Sequence, residues 1–368
     1  MKINYYNIKK VNDIINQVKD KKIFLCPAGK NSAEIIAKCK NKDKIKGFID
    51  NNGVEIDGYS TYSSSDMKKF NNSVVIITSE KFHKELYSEL IENGFDGKII
   101  ECTNEFPIVN KIEYEKENFI RINRMDLVLS SRCTLRCKKC ANLMQYYEKQ
   151  HDVDINIIYK SISNLIDSID EIGTINVIGG EPLLYKKLSE VIRILKNKNK
   201  INFINIITNG TILPQNDDLW KEMSNPKIVL SISDYGKLSK NKIKLLEKCE
   251  QYGVNVEILE TKVFYDTGNL ECRNRTAEEL HIVFKECATQ CRSLFDGELH
   301  YCPRSAHGTD LKFIEKKNLD YVNVLDKHDL RKKIYNLINK NDYIEACNYC
   351  DIRRPGYYEK EYPVAEQV

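Results

Sequence analysis

The sequence predicts an α/β protein in three parts: a small parallel-sheet domain over residues 1–115, a longer β/α repeat over 123–284 and a short cysteine-rich region over 285–368. Three observations predict it. Short apolar runs alternate with helix-length amphipathic segments, the pattern of parallel sheets. A stretch from Asn104 to Asn123, rich in Glu, Lys and Asn, reads as a linker between two different sets of motifs. The cysteines are clustered: Cys133, Cys137 and Cys140 stand in one run, and Cys287, Cys291, Cys302, Cys347 and Cys350 crowd the last part.

Length and composition bound the answer. A chain of 368 residues suits two or three domains, and 42% hydrophobic with 30% charged residues is ordinary for a globular protein. No apolar run approaches the roughly 18 residues of a membrane span, and MKINYYNIKK has no apolar signal core. A cytoplasmic location is therefore expected, where thirteen cysteines argue for metal ligation over disulfides. A net charge of +4 is too weak to argue for nucleic acid.

In the first part, strands are predicted at Lys22 to Cys26, Ile45 to Asp50, Ser73 to Ser79 and Lys98 to Glu101, with helices at Asn31 to Lys40 and Lys81 to Asn93. The ending "GFID" after a glycine-bearing turn resembles the Rossmann-like domains that accompany sugar- and capsule-modifying enzymes. The turn itself, Pro27-Ala28-Gly29-Lys30-Asn31-Ser32, has Pro and Ser where a dinucleotide site needs its outer glycines. Asp50 stands where an acid could hold a ribose. The plainer expectation is a degenerate domain that docks a partner, orders the assembly or reads part of the substrate. Cys26, Cys39 and Cys102 are expected as buried apolar residues.

In the second part, strands are predicted near Met125 to Ser130, Thr174 to Ile178, Asn202 to Thr208, Lys227 to Ser233 and Asn255 to Glu260. Helical spacing marks Val153 to Ile169, Lys186 to Leu195 and Lys240 to Tyr252. The Cys-x3-Cys-x2-Cys run leaves the first of these strands at its C-terminal end. Three thiolates on one tight loop suit an iron-sulfur cluster with one iron left open. A structural zinc would need a fourth ligand nearby, and a disulfide would strand one thiol.

This run resembles that of the radical S-adenosylmethionine (SAM) enzymes, in which three cysteines hold a 4Fe-4S cluster and SAM occupies the fourth iron. Val177-Ile178-Gly179-Gly180-Glu181-Pro182 is similar to that family's GGEP segment, and Ile206 to Gly210 and Leu230 to Asp234 to its next two strand ends. The resemblance implies a partial (β/α) barrel with its site at the strand C-termini. It implies cluster ligation by Cys133, Cys137 and Cys140, close backbone approach to SAM at Gly179 and Gly180, and a Glu181 carboxylate that accepts from the SAM ammonium. Pro182 would fix the turn; Asn209 and Ser231 would reach the ribose or carboxylate of SAM, with Ser233 and Asp234 as weaker candidates. Lys139 departs from the family, which often carries an aromatic residue or His before the third cysteine.

In the last part, Asp296-Gly297 between β-like runs reads as a hairpin turn. Cys287, Gly297, Cys302 and the Cys347-x2-Cys350 pair together resemble the twitch domain, the shortened relative of the SPASM domain, which holds one auxiliary 4Fe-4S cluster. Four cysteines of this kind also suit a structural zinc. The spacing favours Cys287 as first ligand and leaves Cys291 beside the cluster as a free thiol, with the reverse choice still open. Cys249 and Cys272 fit no pattern and are expected to be structural.

The family resemblance implies reductive cleavage of SAM to a 5'-deoxyadenosyl radical, with electrons from a partner such as flavodoxin or ferredoxin, and hydrogen abstraction from substrate. A carbohydrate-like small molecule, an aminocyclitol or nucleotide sugar, would then be oxidised with the auxiliary cluster as electron acceptor, or epimerised with Cys291 as hydrogen donor. The alternative substrate is a ribosomally made peptide.

Overall fold

A computed structural model of the protein describes residues 15, 21–40, 42–53, 56, 58–79, 82–101, 120–287, 291–317, 320–352 and 359–368. Cys102 and most of the expected linker lie outside the described residues. The chain divides into two compact units, Met1–Phe119 and Ile120–Val368.

The first unit is built on a five-stranded parallel sheet. β1 (Ile23–Cys26) is central, flanked by β2 (Ile45–Ile49) and β4 (Val74–Ile77), with β3 (Thr61–Tyr62) and β5 (Lys98–Glu101) at the edges. The order β3-β2-β1-β4-β5 is that of doubly wound sheets. Side chains alternate across each strand, so a sheet covered on both faces needs continuous apolar runs. IFLC and VVII supply them. Ile23, Leu25 and Ile76 pack with Ile35 and Ile36 of α1 (Lys30–Lys38) on one face. Phe24, Val75 and Ile77 pack with Leu90 of α2 (His83–Glu92) on the other. Cys26 and Cys39 are buried among these apolar residues, as expected. Asp50 is turned to structural use: its carboxylate accepts from Ala28 N at 3.2 Å and Asn52 N at 2.9 Å.

The second unit carries a mixed sheet of eight strands. β6 (Arg121–Val128), β7 (Glu171–Ile178), β8 (Ile201–Thr208), β9 (Ile228–Asp234) and β10 (Asn255–Glu260) run parallel. On the other side of β6 lies β11 (Cys291–Phe295), also parallel, continued antiparallel by β12 (Glu298–His300) and β13 (Tyr321–Asn323). The β11–β12 turn is Asp296-Gly297, with φ of 45° and 84°, the left-handed pair that a two-residue hairpin requires. The cysteine-rich region thus extends the sheet of the β/α repeat.

Helices α3 (Ile155–Ser168), α4 (Leu188–Lys196), α5 (Asp217–Met223) and α6 (Lys242–Tyr252) follow the strands. Their apolar residues, such as Ile162, Leu195, Trp220 and Leu245, pack on Met125, Leu127, Val177, Ile206 and Leu230. The C-terminal part adds α7 (Ala277–Glu286), α8 (Pro303–Asp310) and α9 (Leu330–Asn339). Cys249 is buried in the main core, whereas Cys272 is exposed, its sulfur accepting from Asn274 N at 3.4 Å. Among the described residues no helix is long and apolar enough to cross a membrane.

Candidate functional site: two cysteine-walled cavities on the sheet

At the C-terminal end of β6 the chain turns through Ser130 and Arg132 into the cysteine loop. Ser130 fixes this turn: its Oγ donates to His151 O at 3.0 Å and accepts from Arg132 N at 2.9 Å. The loop after β7 lies directly against it, with Gly180 N donating to Ser130 O at 2.9 Å and Glu181 N to Arg132 O at 2.8 Å. This contact explains both glycines. A Cβ on Gly179 would stand 2.4 Å from Ser130 O, and one on Gly180 2.3 Å from Arg132 O and 2.5 Å from Cys133 Cβ. The closeness expected toward SAM is spent first on the cysteine loop itself.

Cys133, Cys137 and Cys140 wall one cavity of about 330 Å³, together with Gly179, Gly180, Asn209 and Ser233. Asn209 Nδ2 donates to Thr134 Oγ1 at 3.1 Å and approaches Cys133 Sγ at 3.7 Å, while Leu135 N donates to that sulfur at 3.4 Å. Burial pushes all three thiols up, Cys133 to about 12, with the other two thiol charges and Glu181 adding to it. Thiols raised in this way are ones that a bound metal would stabilise as thiolates. The opposite wall is Tyr235, Val263, Phe264 and Tyr265, with Tyr235 and Phe264 edge to face at 5.8 Å. Lys139, where the family has an aromatic, pairs with Asp266 and lies 4.7 Å over the Tyr362 ring.

Four expected site residues do not line this cavity. Glu181 is fully buried. Its carboxylate accepts from Leu183 N at 3.0 Å, Thr208 Oγ1 at 2.8 Å and Asn209 N at 2.8 Å, so it ties the end of β7 to the end of β8. Burial outweighs those three donors and raises its carboxyl to about 7. Pro182, buried beside it, opens a one-turn 3-10 helix. Ser231 sits deeper in the sheet, where its Oγ hydrogen bonds with Asn205 Oδ1 at 2.6 Å and Glu257 Oε1 at 2.5 Å. Asp234 points away and pairs with Lys242.

A second cavity, of about 420 Å³, shares Ala141, Asn142, Ile178, Ile207 and Thr267 with the first, so the two are contiguous. Its far wall holds Cys287, Cys302, Cys347 and Cys350. Burial raises the Cys302 thiol well above its usual range, and the other three thiols are close enough for their charges to add to it. They come from three supports, Cys347 and Cys350 sharing one. Cys302 caps the N-terminus of α8, and Cys287 follows α7. Cys347 rides on a 3-10 turn pinned by the buried Asp320, which accepts from Glu345 N at 2.8 Å and Ala346 N at 3.0 Å. Arg304 donates to the carbonyls of Gly268, Asn269 and Tyr349, stitching the loop before α7 to the Cys350 turn.

Cys291 is elsewhere. It is 4% exposed, opens β11 opposite Arg124, and its charge neighbours are Asp126 and Arg124, with burial and Asp126 raising the thiol. It still lines the second cavity, beside Arg124, Asp126 and Asn176. Those three were missed from the sequence. Asp126 accepts from Asn176 Nδ2 at 2.8 Å, and Asn205 Nδ2 approaches Asn176 Oδ1 at 3.4 Å, so a polar ladder runs from β6 across β7 and β8 to Ser231 and Glu257. The signal was present as Arg124-Met125-Asp126, charged residues alternating within a strand whose other face is apolar.

Among the described residues no three His, Cys, Asp or Glu side chains crowd tightly enough to grip a single metal ion. The thiols stand around the cavities, and three of them about one cavity with an apolar and aromatic far wall fit a cluster with an organic ligand beside it.

Comparison with known proteins bears on the stretch of chain that carries the first of these sites. Residues 127–260 match the Radical SAM superfamily. Over 114 residues the chain is 29% identical to GTP 3',8-cyclase of Alkaliphilus oremlandii, covering 30% of this chain and 35% of the cyclase. Over 203 residues it is 25% identical to the radical SAM cyclopropyl synthase TigE of Paramaledivibacter caminithermalis, covering 50% of this chain and 41% of the synthase. The chain thus spans about a third to two fifths of these curated relatives. Among solved structures it is similar to BtrN in complex with AdoMet and 2-DOIA, with TM-score 0.42 and 15% identity over 68% of this chain and 98% of that one.

Proposed function

We propose that this radical SAM protein oxidises or epimerises a hydroxylated, carbohydrate-like small molecule held in the second cavity, with Cys287, Cys302, Cys347 and Cys350 as ligands of an auxiliary 4Fe-4S cluster of the twitch type. The superfamily match over residues 127–260 carries with it a 4Fe-4S cluster and SAM. Cys133, Cys137 and Cys140 would hold that cluster. When bound, the pair supplies a 5'-deoxyadenosyl radical upon reduction by a carrier such as flavodoxin or ferredoxin.

The observation that carries the substrate reading is the floor of the second cavity. Arg124, Asp126 and Asn176 line the cavity that the second thiol set also lines, and offer a guanidinium, a carboxyl and an amide to one ligand. A hydroxylated ring, each of whose O–H groups both donates and accepts, suits such a floor. A pyrophosphate does not. Of the cations on the described walls of the two cavities, Lys139 pairs with Asp266, Arg304 is spent on carbonyls, and the charge of Arg124 acts on Asp126 beside it. An aminocyclitol is therefore favoured over a nucleotide sugar.

The chain's own residues have definite tasks. Glu181 positions the cysteine loop and Asn209 rather than binding a ligand. Tyr235, Phe264 and Tyr265 give an aromatic wall on which a base can pack. Asp126, next to the substrate's hydroxyls, is the group able to take the O–H proton that an oxidation releases. The first unit, Rossmann-like in strand order, would read part of the substrate or dock a partner.

The test uses reconstituted, reduced protein with SAM in deuterated water, offered an aminocyclitol, a nucleotide sugar and a peptide in parallel. A ketone from the aminocyclitol makes the protein a dehydrogenase. An inverted carbon carrying solvent deuterium, lost in Cys291→Ala while 5'-deoxyadenosine still forms, makes it an epimerase. Modification of the peptide alone would reject the carbohydrate reading.

A further inference from the structure

The last ten residues of the sequence bear on the cysteine loop in a way that none of the motifs explains. Residues 359–368 lie across it. Cys137 and Gln367 form an antiparallel bridge. Lys138 N donates to Glu366 O at 2.8 Å and Val368 N to Arg136 O at 2.8 Å. Lys138 and Glu366 also pair through their side chains. A second bridge, Phe264 with Tyr362, ties the same segment to the cavity's aromatic wall through two hydrogen bonds of 3.0 and 2.9 Å. Ala365 is buried at a left-handed φ of 52°. A non-glycine residue holds that conformation at a cost of about 1 kcal/mol, and only when its surroundings impose it.

Gln367 is the centre of the clasp, and both ends of its carboxamide are used. Oε1 accepts from Arg136 N at 2.6 Å, which sets the orientation of the amide. Nε2 then faces Cys137 Sγ at 3.4 Å. An amide of this kind is a donor at a position where sulfur is a weak acceptor as a thiol and a much better one as a thiolate.

We infer that Gln367 is a positioning and tuning residue of the SAM-cluster site: the segment that carries it clasps the cysteine loop in its ligating shape, and its amide donates to the sulfur of Cys137. The inference rests on the reading that Cys133, Cys137 and Cys140 hold a cluster only for its second half. Donation to a ligating sulfur stabilises the negative charge that grows there on reduction, so it raises the reduction potential. The backbone half concerns the protein alone.

Two measurements separate the halves. In the metal-free protein, hydrogen–deuterium exchange at Arg136 N–H and Lys138 N–H reads the clasp directly, because their acceptors are Gln367 and Glu366. Deleting residues 366–368 should speed exchange at these two amides by about tenfold, the loss of one hydrogen bond of about 1.4 kcal/mol. Gln367→Glu keeps an acceptor for Arg136 N but gives up both Nε2 bonds, to Cys137 Sγ and to Ala365 O, so exchange at Arg136 should change less than in the deletion. The second measurement is the midpoint potential of the cluster at Cys133, Cys137 and Cys140, taken with Cys302 and Cys347 replaced by Ala so that one cluster is titrated. Gln367→Glu should shift it negative at unchanged iron content. Gln367→Met, which removes the amide without adding charge, should shift it in the same direction by less. Unaltered exchange in the deletion variant overturns the clasp, and an unaltered potential in Gln367→Met overturns the donor. Absence of iron from the parent would instead reject the cluster reading, and the exchange result would still decide the clasp.

Discussion

The two sheets of this protein share one construction, parallel strands with helices packed against them, and differ in what the second face buries. In the first unit both faces are apolar: Ile23 and Leu25 point one way, Phe24 and Cys26 the other, and each side has its own cluster of aliphatic and aromatic residues. In the second unit Met125, Leu127, Val177 and Ile206 face the helices, while Arg124, Asp126, Asn176, Asn205 and Ser231 occupy the alternate positions. Burying that polar face costs desolvation that a row of leucines would not. The proposed substrate site gives that polar face a use.

That contrast can be broken by substitutions on each side. The largest effect on turnover is expected at Asp126. Asp126→Asn keeps shape and the option of a bond to Asn176, and should lower product formation by about 10²-fold or more, the usual share of a general base. Stability should not fall, because burial already holds the Asp126 carboxyl above its ordinary range and a neutral amide avoids that penalty. A stability loss with unchanged turnover would make the polar face structural. The mirror experiment is Phe24→Ala in the first sheet, which should cost about 3–5 kcal/mol in chemical denaturation of that unit and leave iron content unchanged.

A smaller effect sharpens the role of Glu181. Its carboxyl is raised from 4.5 to about 7 by burial, so its neutral form is the one the fold favours. Stability from this group is full below pH 4.5 and is lost as pH rises through 7, by about 3 kcal/mol in all. Glu181→Gln does not titrate, and the difference in unfolding free energy between wild type and variant should therefore change across pH 4.5 to 7. A constant difference would mean that the three donors to Glu181 hold it ionised.

Much of this was legible in the sequence, for physical reasons that also explain what was not. Strands buried on both faces are continuous apolar runs, so IFLC and VVII announced themselves, and β10 was expected at the residues where it occurs. The expected start of β6 at Met125 was four residues late, because Arg121 and Arg124 read as a polar boundary when both are strand residues, Arg124 on the face of Asp126 and Arg121 paired with Glu171. Short elements with little apolar content, β3 and β13, gave no periodic signal. The thiol motifs were readable because ligand chemistry dictates spacing. Contacts between segments distant in sequence were not: nothing local to Glu181 says that its acceptors serve β8, and nothing near Gln367 announces Cys137, 230 residues away.

The central claim is that two thiol sets flank one substrate chamber, each holding its own cluster, and iron content read together with SAM cleavage tests it most directly. Anaerobically reconstituted protein should hold about eight irons, four at each set. Replacing Cys133, Cys137 and Cys140 by Ala should leave about four and abolish 5'-deoxyadenosine formation. Replacing Cys302 and Cys347 by Ala should also leave about four, with 5'-deoxyadenosine still formed and product lost. Zinc at the C-terminal set with about four irons in the unmutated protein, or full product formation without Cys302 and Cys347, would contradict the account.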